Sequence, residues 1–173
     1  IFLFFSIFFI FILTCGCKSN FYTVYPVFDT TPVHTPNDAA DDIAIFIHPD
    51  NPEVRAIVAT NKKVGLEVYD QQGKRIHEYP FGLVNNVDLR QHVPWNGKFI
   101  TIVGGSNRTD NSLVFYQLDE NTLELRPLHL QIIKSSVDEV YGFCLYLAQD
   151  ACYAFVASKT GLVEQWKLSP DAQ

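Results

Sequence analysis

The chain has 173 residues, is 47% hydrophobic and 18% charged, and carries a formal net charge of −6. That acidity excludes a nucleic-acid surface, which would be basic. It also excludes direct capture of a highly anionic substrate, unless metal ions mediate the contact.

The run Ile1 to Thr14 is uncharged and apolar apart from Ser6 and Thr14. A membrane-spanning helix needs about 20 apolar residues, so the run reads as the apolar stretch of a secretory signal. Neither an initiator Met nor a basic stretch stands ahead of it, and the chain is expected to start inside its reading frame. Leu13-Thr14-Cys15-Gly16-Cys17 resembles a bacterial lipoprotein signal, with Cys15 as an interruption. The expectations are a signal over 1–17 with either a lipid anchor at Cys17 or ordinary cleavage nearby, a linker over 18–35, and one domain over 36–173. The domain is expected outside the cytoplasm, on a membrane anchor or as a secreted or periplasmic protein.

Beyond the linker no segment keeps a helical period. Short β-branched and aromatic runs recur between turn residues, predicting strands at 43–47, 54–60, 66–70, 75–80, 99–104, 113–118, 141–147, 153–157 and 162–168. Ile43–Ile47 is apolar throughout, which predicts a strand covered on both faces. Cys144 and Cys152 lie on a predicted hairpin turning at Gln149-Asp150-Ala151. With Cys152 opposite Ala148, the two cysteines stand about 13 Å apart at strand rise, beyond the roughly 7 Å that a disulfide bridges. Two free, buried thiols are expected.

Asp42 and Lys62, Asp88 and Arg108, and Glu139 and Lys159 are each an acid followed 20 residues later by a cation. The sets recur after 46 and 51 residues, close to the roughly 40–50 residues of a four-stranded propeller blade. Small residues precede each cation, and a turn and a strand with an aromatic near its end follow it. In a blade, the start of the innermost strand and the end of the second strand meet on one rim, so acids and cations are expected together there. The fold class is therefore all-β, a β-propeller, with about three four-stranded blades in this chain. Three units do not close a ring, which predicts roughly the first half of a propeller.

Five ordered segments carry a resemblance: Asp38-Ala39-Ala40-Asp41-Asp42-Ile43-Ala44-Ile45-Phe46, Thr60-Asn61-Lys62-Lys63-Val64-Gly65-Leu66, Asn85-Asn86-Val87-Asp88-Leu89-Arg90, Ser106-Asn107-Arg108 and Asp138-Glu139-Val140-Tyr141-Gly142-Phe143. In order and spacing, from about Asp38 to Leu168, they resemble the bacterial β-propeller phytases, the calcium-dependent 3-phytase family. The resemblance implies a six-bladed propeller, monomeric when complete. It also implies several calcium ions and release of phosphate from myo-inositol hexakisphosphate (phytate, as its calcium salt) by metal-activated water attack. By the same resemblance, Lys62, Lys63, Arg108, Tyr141 and Lys159 match phosphate-binding positions, with Tyr141, Lys62, Arg108 and Lys159 as the catalytic set. Asp41, Asp42, Asn85, Asn86 and Asp88 match positions around the calcium ions, and Glu139 is assigned to metal or to positioning water. Two departures stand out: Ile43 replaces a usual Pro, and Thr160 stands where an acid is common. The family's later carboxylates lie beyond Gln173, so this portion alone is not expected to be active.

Taken without the resemblance, the residues leave alternatives open. Calcium takes about six to eight oxygen ligands, but Asp and Asn are also ordinary turn residues, and for Asp38 the two explanations weigh equally. A lone Lys at a strand end is usually solvated; repetition at equivalent places favours phosphate for Lys62, Arg108 and Lys159, where Arg forks and Lys is a point charge. Tyr141 is either a hydroxyl donor or a structural ring. His34, His48, His77, His92 and His129 show no zinc-type spacing, and no Ser or Cys nucleophile has a recognisable setting. The alternative function is a non-catalytic propeller lipoprotein binding calcium and anions. A calcium propeller hydrolase for lactones or sugar-acid esters ranks last, because it does not explain the row of cations.

Overall fold

The computed structural model describes residues 21–128, 130 and 133–170. The signal, the lipidation site at Cys17 and His129 lie outside the described residues. Three antiparallel sheets follow one another along the chain. The first holds β1 (Ala40–Ile47), β2 (Arg55–Asn61), β3 (Gly65–Asp70) and β4 (Arg75–Pro80), in that order. The second holds β5 (Val84–Trp95), β6 (Lys98–Asn107), β7 (Ser112–Leu118) and β8 (Leu125–Pro127), with β9 (Ile133–Lys134) also on β7. The third holds β10 (Val140–Leu147), β11 (Cys152–Ser158) and β12 (Val163–Leu168).

This is the expected blade pattern with two differences of detail. The outer strand of the second sheet is split into β8 and β9; Pro127 ends the first piece and has no N–H for the ladder. The third sheet has three strands among the described residues. The pattern of runs also overlooks β5, whose Asn85, Asn86, Asp88, Arg90, Gln91 and His92 conceal a 12-residue strand.

Two apolar layers lie between the sheets. Phe46, Val58 and Val68 of the first sheet pack on Val87, Leu89 and Val103 of the second. Trp95, Ile100 and Ile102 of the second pack on Leu145, Ala154 and Val156 of the third. β5 serves both layers because its register shifts between Arg90 and Val93, where His92 takes a φ of 57°. One extra residue reverses the side-chain alternation, so Val87 and Leu89 face one neighbour while Val93 and Trp95 face the other.

Two expectations are corrected. Ile43–Ile47 is covered on one face only: Ala44 and Phe46 are buried, whereas Ile43 and Ile45 are each 58% exposed and Ile47 is 47% exposed. Both thiols are free as expected, but Cys144 is exposed and only Cys152 is buried. The turn closes through Ala148 N–H to Ala151 C=O, so Cys152 pairs with Leu147 rather than Ala148. That one-residue change places the cysteines on opposite faces of the strand pair.

Residues assigned to the linker also take part in the fold. Thr31 N–H donates to Gly73 C=O at 2.7 Å, and Asn61 Nδ2 donates to Thr35 Oγ1 at 2.8 Å. This segment covers Glu67, which is 1% exposed and accepts from Asn61, Tyr69 and Arg75.

Candidate functional site

The first strand of every sheet opens in the same way. Ala40 pairs with Asn61, Val84 with Asn107 and Val140 with Ser158. The residue after each of those partners is Lys62, Arg108 or Lys159, so the three cations are structurally equivalent and share one rim. Lys62 N–H donates to Ala39 C=O at 2.8 Å and Arg108 N–H to Leu83 C=O at 3.0 Å, the same bond in two sheets.

Immediately inside the rim, every first strand carries a register shift: between Ala40 and Ile43, Val84 and Val87, and Val140 and Gly142. A bulge re-aims the side chains around it, and these bulges carry Asp41 and Asp42, Asn85 and Asn86, and Tyr141. The bulge amides are caught by hydroxyls that the sequence alone did not single out. Asp42 N–H donates to Thr60 Oγ1 at 2.9 Å and Asn86 N–H to Ser106 Oγ at 3.4 Å. The legible signal was the repeated small hydroxyl residue ahead of Asn and the cation, in Thr60-Asn61-Lys62 and Ser106-Asn107-Arg108.

The acids are not equivalent, although their sequence spacing to the cations is constant. Asp42 lies two residues after Ala40, Asp88 four after Val84, and Glu139 one before Val140. Asp88 consequently sits inside β5. Its Oδ1 accepts from Leu89 N–H and Arg90 Nη1, both at 2.7 Å, and its Oδ2 accepts from Leu145 N–H of the third sheet at 2.8 Å. Its oxygens are taken by donors away from the rim.

Asp38, Asp41 and Glu139 stay with the cations. Lys62 Nζ lies 2.8 Å from Asp38 Oδ1 and 3.2 Å from Asp41 Oδ1. Hydrogen bonding to Lys62 holds the Asp38 carboxyl below its ordinary range, and the same bond raises the Lys62 ammonium. Lys159 Nζ lies 3.1 Å from Glu139 Oε1 and 4.9 Å from the centroid of the half-exposed Tyr141 ring. A hydrogen bond from Thr160 similarly depresses Asp138. Arg108 reaches across with Nη2 to Lys62 C=O at 3.5 Å, while its buried Nε has no partner among the described residues. Lys63 instead donates Nζ to Pro36 C=O at 2.7 Å.

Asp42 and the two asparagines form a chain across the first two sheets. Asn85 Nδ2 donates to Asn86 Oδ1 at 2.9 Å, and Asn86 Nδ2 donates to Asp42 Oδ2 at 3.1 Å. The donor set at this rim, Asp38, Asp41, Asp42, Asn85, Asn86 and Glu139, is all oxygen, which fits calcium and not a thiolate- or imidazole-bound metal. A different trio, His34 of the segment before β1 with Glu67 and Glu78 of the first sheet, has ligand atoms within 4.8 Å of one another. There Glu67 is already satisfied by Asn61, Tyr69 and Arg75, and Arg75 supplies the positive charge. The cleft of about 350 Å³ beside Asp41 and Asp42 is lined also by Thr30, Pro32 and Val33, and not by the cations.

Successive antiparallel sheets packed face to face, with equivalent cations on one rim, define the blades of a β-propeller. The Phytase family model matches residues 13–173, and the chain belongs to that family. Among curated proteins, the 3-phytase of Bacillus subtilis (strain 168) is 44% identical over 148 residues, covering 81% of this chain and 38% of the relative. The chain thus spans well under half the length of that relative.

Proposed function

We propose that the protein containing this chain is a calcium-dependent phosphatase that releases phosphate from phytate. The observation that carries this is the equivalence of Lys62, Arg108 and Lys159, one cation per sheet on a common rim. Three cations at blade spacing suit a ligand bearing several phosphates, because one can hold the ester that is cleaved while others hold its neighbours. Binding energy from those neighbours is then used for orientation.

In this scheme the Arg108 guanidinium forks onto two phosphoryl oxygens, and Lys62 and Lys159 act as point charges. Tyr141 donates its hydroxyl to a phosphoryl oxygen, with its ring held beside Lys159. Glu139 orients the attacking water. Asp41, Asp42, Asn85 and Asn86 would hold calcium, which when bound neutralises phosphate charge and activates water. Asp88, four residues into β5 and paired with Arg90 at 2.7 Å, is left out of the metal set. An acidic protein would then meet a polyanion through shared cations, in keeping with the calcium salt of phytate as substrate. We also place the protein outside the cytoplasm, anchored at Cys17 or released, on the composition of the leader, and as a monomer.

The test is phosphate release from phytate by the intact protein. Loss under a chelator, with recovery on adding calcium but not magnesium, is expected. Activity indifferent to chelation would overturn the calcium-dependent reading, and absence of phosphate release even with calcium added would leave the non-catalytic anion-binding propeller as the better account.

A further inference from the structure

Lys62, Arg108 and Lys159 hold equivalent places, yet their counter-ions differ. Two residues before the opening pair of each sheet stand Asp38, Gly82 and Asp138. Asp38 reaches Lys62 Nζ at 2.8 Å. Gly82 takes a φ of 151°, and a Cβ there would lie 2.6 Å from Asn107 Oδ1 and 2.7 Å from Thr109 Oγ1. No carboxylate side chain fits at that position, and among the described residues no acid forms an ion pair with Arg108. Asp138 accepts from Thr160 Oγ1 at 3.0 Å, which leaves Lys159 to Glu139.

The Lys62 pair is also uneven. The Lys62 side chain is 15% exposed, whereas that of Asp38 is 84% exposed and follows Asn37, whose φ is 63°. The carboxylate, not the ammonium, is therefore the partner with room to swing away. A phosphate dianion offers more charge and more acceptor oxygens than one carboxylate, and so competes well for the same ammonium.

We propose that Asp38 is an internal counter-ion for Lys62 that an incoming phosphate group displaces, so that Asp38 sets the affinity of this position while Arg108 is open to an anion from the start. This rests on the phosphate-binding role given to Lys62 above. Asp38 is thus an affinity-determining residue that opposes ligand binding, and Arg108, which no carboxylate pairs with among the described residues, is the position that takes an anion without displacing a counter-ion.

The experiment measures binding of inorganic phosphate to the intact protein by calorimetry in the presence of a chelator. Asp38→Asn is expected to bind phosphate about three- to five-fold more tightly, the scale of an exposed ion pair, with the gain shrinking as salt is raised. Asp38→Ala should give the same gain without leaving an amide to replace the carboxylate. Adding Lys62→Gln to Asp38→Asn should erase it. Unchanged or weaker binding in both Asp38 variants overturns the proposal, as does a gain that persists without Lys62. If Lys62→Gln alone leaves phosphate affinity untouched, the phosphate role of Lys62 fails instead, and the two failures are distinguishable.

Discussion

The Asp42 carboxylate of the first sheet accepts the Val87 backbone amide of the second at 3.1 Å, and the same oxygen accepts Asn86 Nδ2 at 3.1 Å. Among the described residues neighbouring blades share no hydrogen-bonded ladder, so bonds of this kind fix how one sheet is rotated on the next. Asp88 makes the corresponding bond onward, from Oδ2 to Leu145 N–H at 2.8 Å.

These two aspartates should separate in experiment. Asp42→Ala and Asp88→Ala each leave a backbone amide without its acceptor, at a cost of about 1–3 kcal/mol, visible as a lower denaturation midpoint in chelator. Asp42→Ala should in addition weaken calcium binding, whereas Asp88→Ala should leave calcium affinity near wild type. Equal loss of calcium affinity in both variants would return Asp88 to the metal set.

The relation between sequence and structure explains why those aspartates were first grouped together. Strand runs, the blade-length repeat and the equivalence of the cations were legible because each rests on local chemistry: period-two apolar runs, turn residues, and a small residue ahead of a cation. The acids were harder, because constant spacing from acid to cation is not constant height on the strand. The opening pairs Ala40–Asn61, Val84–Asn107 and Val140–Ser158 close hairpins of different length, so Asp88 falls two places deeper than Asp42. Burial of Ile43–Ile47 was overestimated for a related reason: an apolar run does not reveal whether a second sheet covers its other face. The Asp38–Lys62 pair is tertiary, and nothing in the spacing distinguishes a ligand carboxylate from a counter-ion.

A second prediction concerns acid stability. Burial tends to raise the Glu67 carboxyl, but hydrogen bonds from Tyr69, Asn61 and Arg75 outweigh it and hold the group below its ordinary value of 4.5. A depressed folded-state pKa gives stability that is present above the unfolded value and lost as pH falls through the folded one. Thermal midpoints should therefore drop below about pH 4.5. Glu67→Gln should flatten that slope and cost about 2–3 kcal/mol at neutral pH by leaving Arg75 without its partner. An unchanged slope would show that other carboxylates govern acid unfolding.

The cysteines should react very differently. Cys144 is exposed, while Cys152 is buried and its thiol is pushed up to about 11 by burial. The thiolate is the reactive form. Brief alkylation followed by peptide mapping should label Cys144 in the native protein and reach Cys152 only after denaturant is added. Equal labelling of both would mean that β11 is not packed as described.

The last prediction separates charge from shape at Arg108. Its guanidinium lies between the first two sheets, with Nη2 on Lys62 C=O at 3.5 Å and Nε unpartnered among the described residues. A fork can bind two oxygens of one phosphoryl group, and an ammonium at the same place cannot. If Arg108 served only as a positive charge, Arg108→Lys would restore most of what Arg108→Gln removes. With the fork required, both variants should lose kcat/KM for phytate by roughly 10- to 100-fold, the scale of one or two charged hydrogen bonds. Arg108→Lys should recover only a small part, while thermal midpoints stay close to wild type. Near-complete rescue by Lys would reduce Arg108 to a point charge.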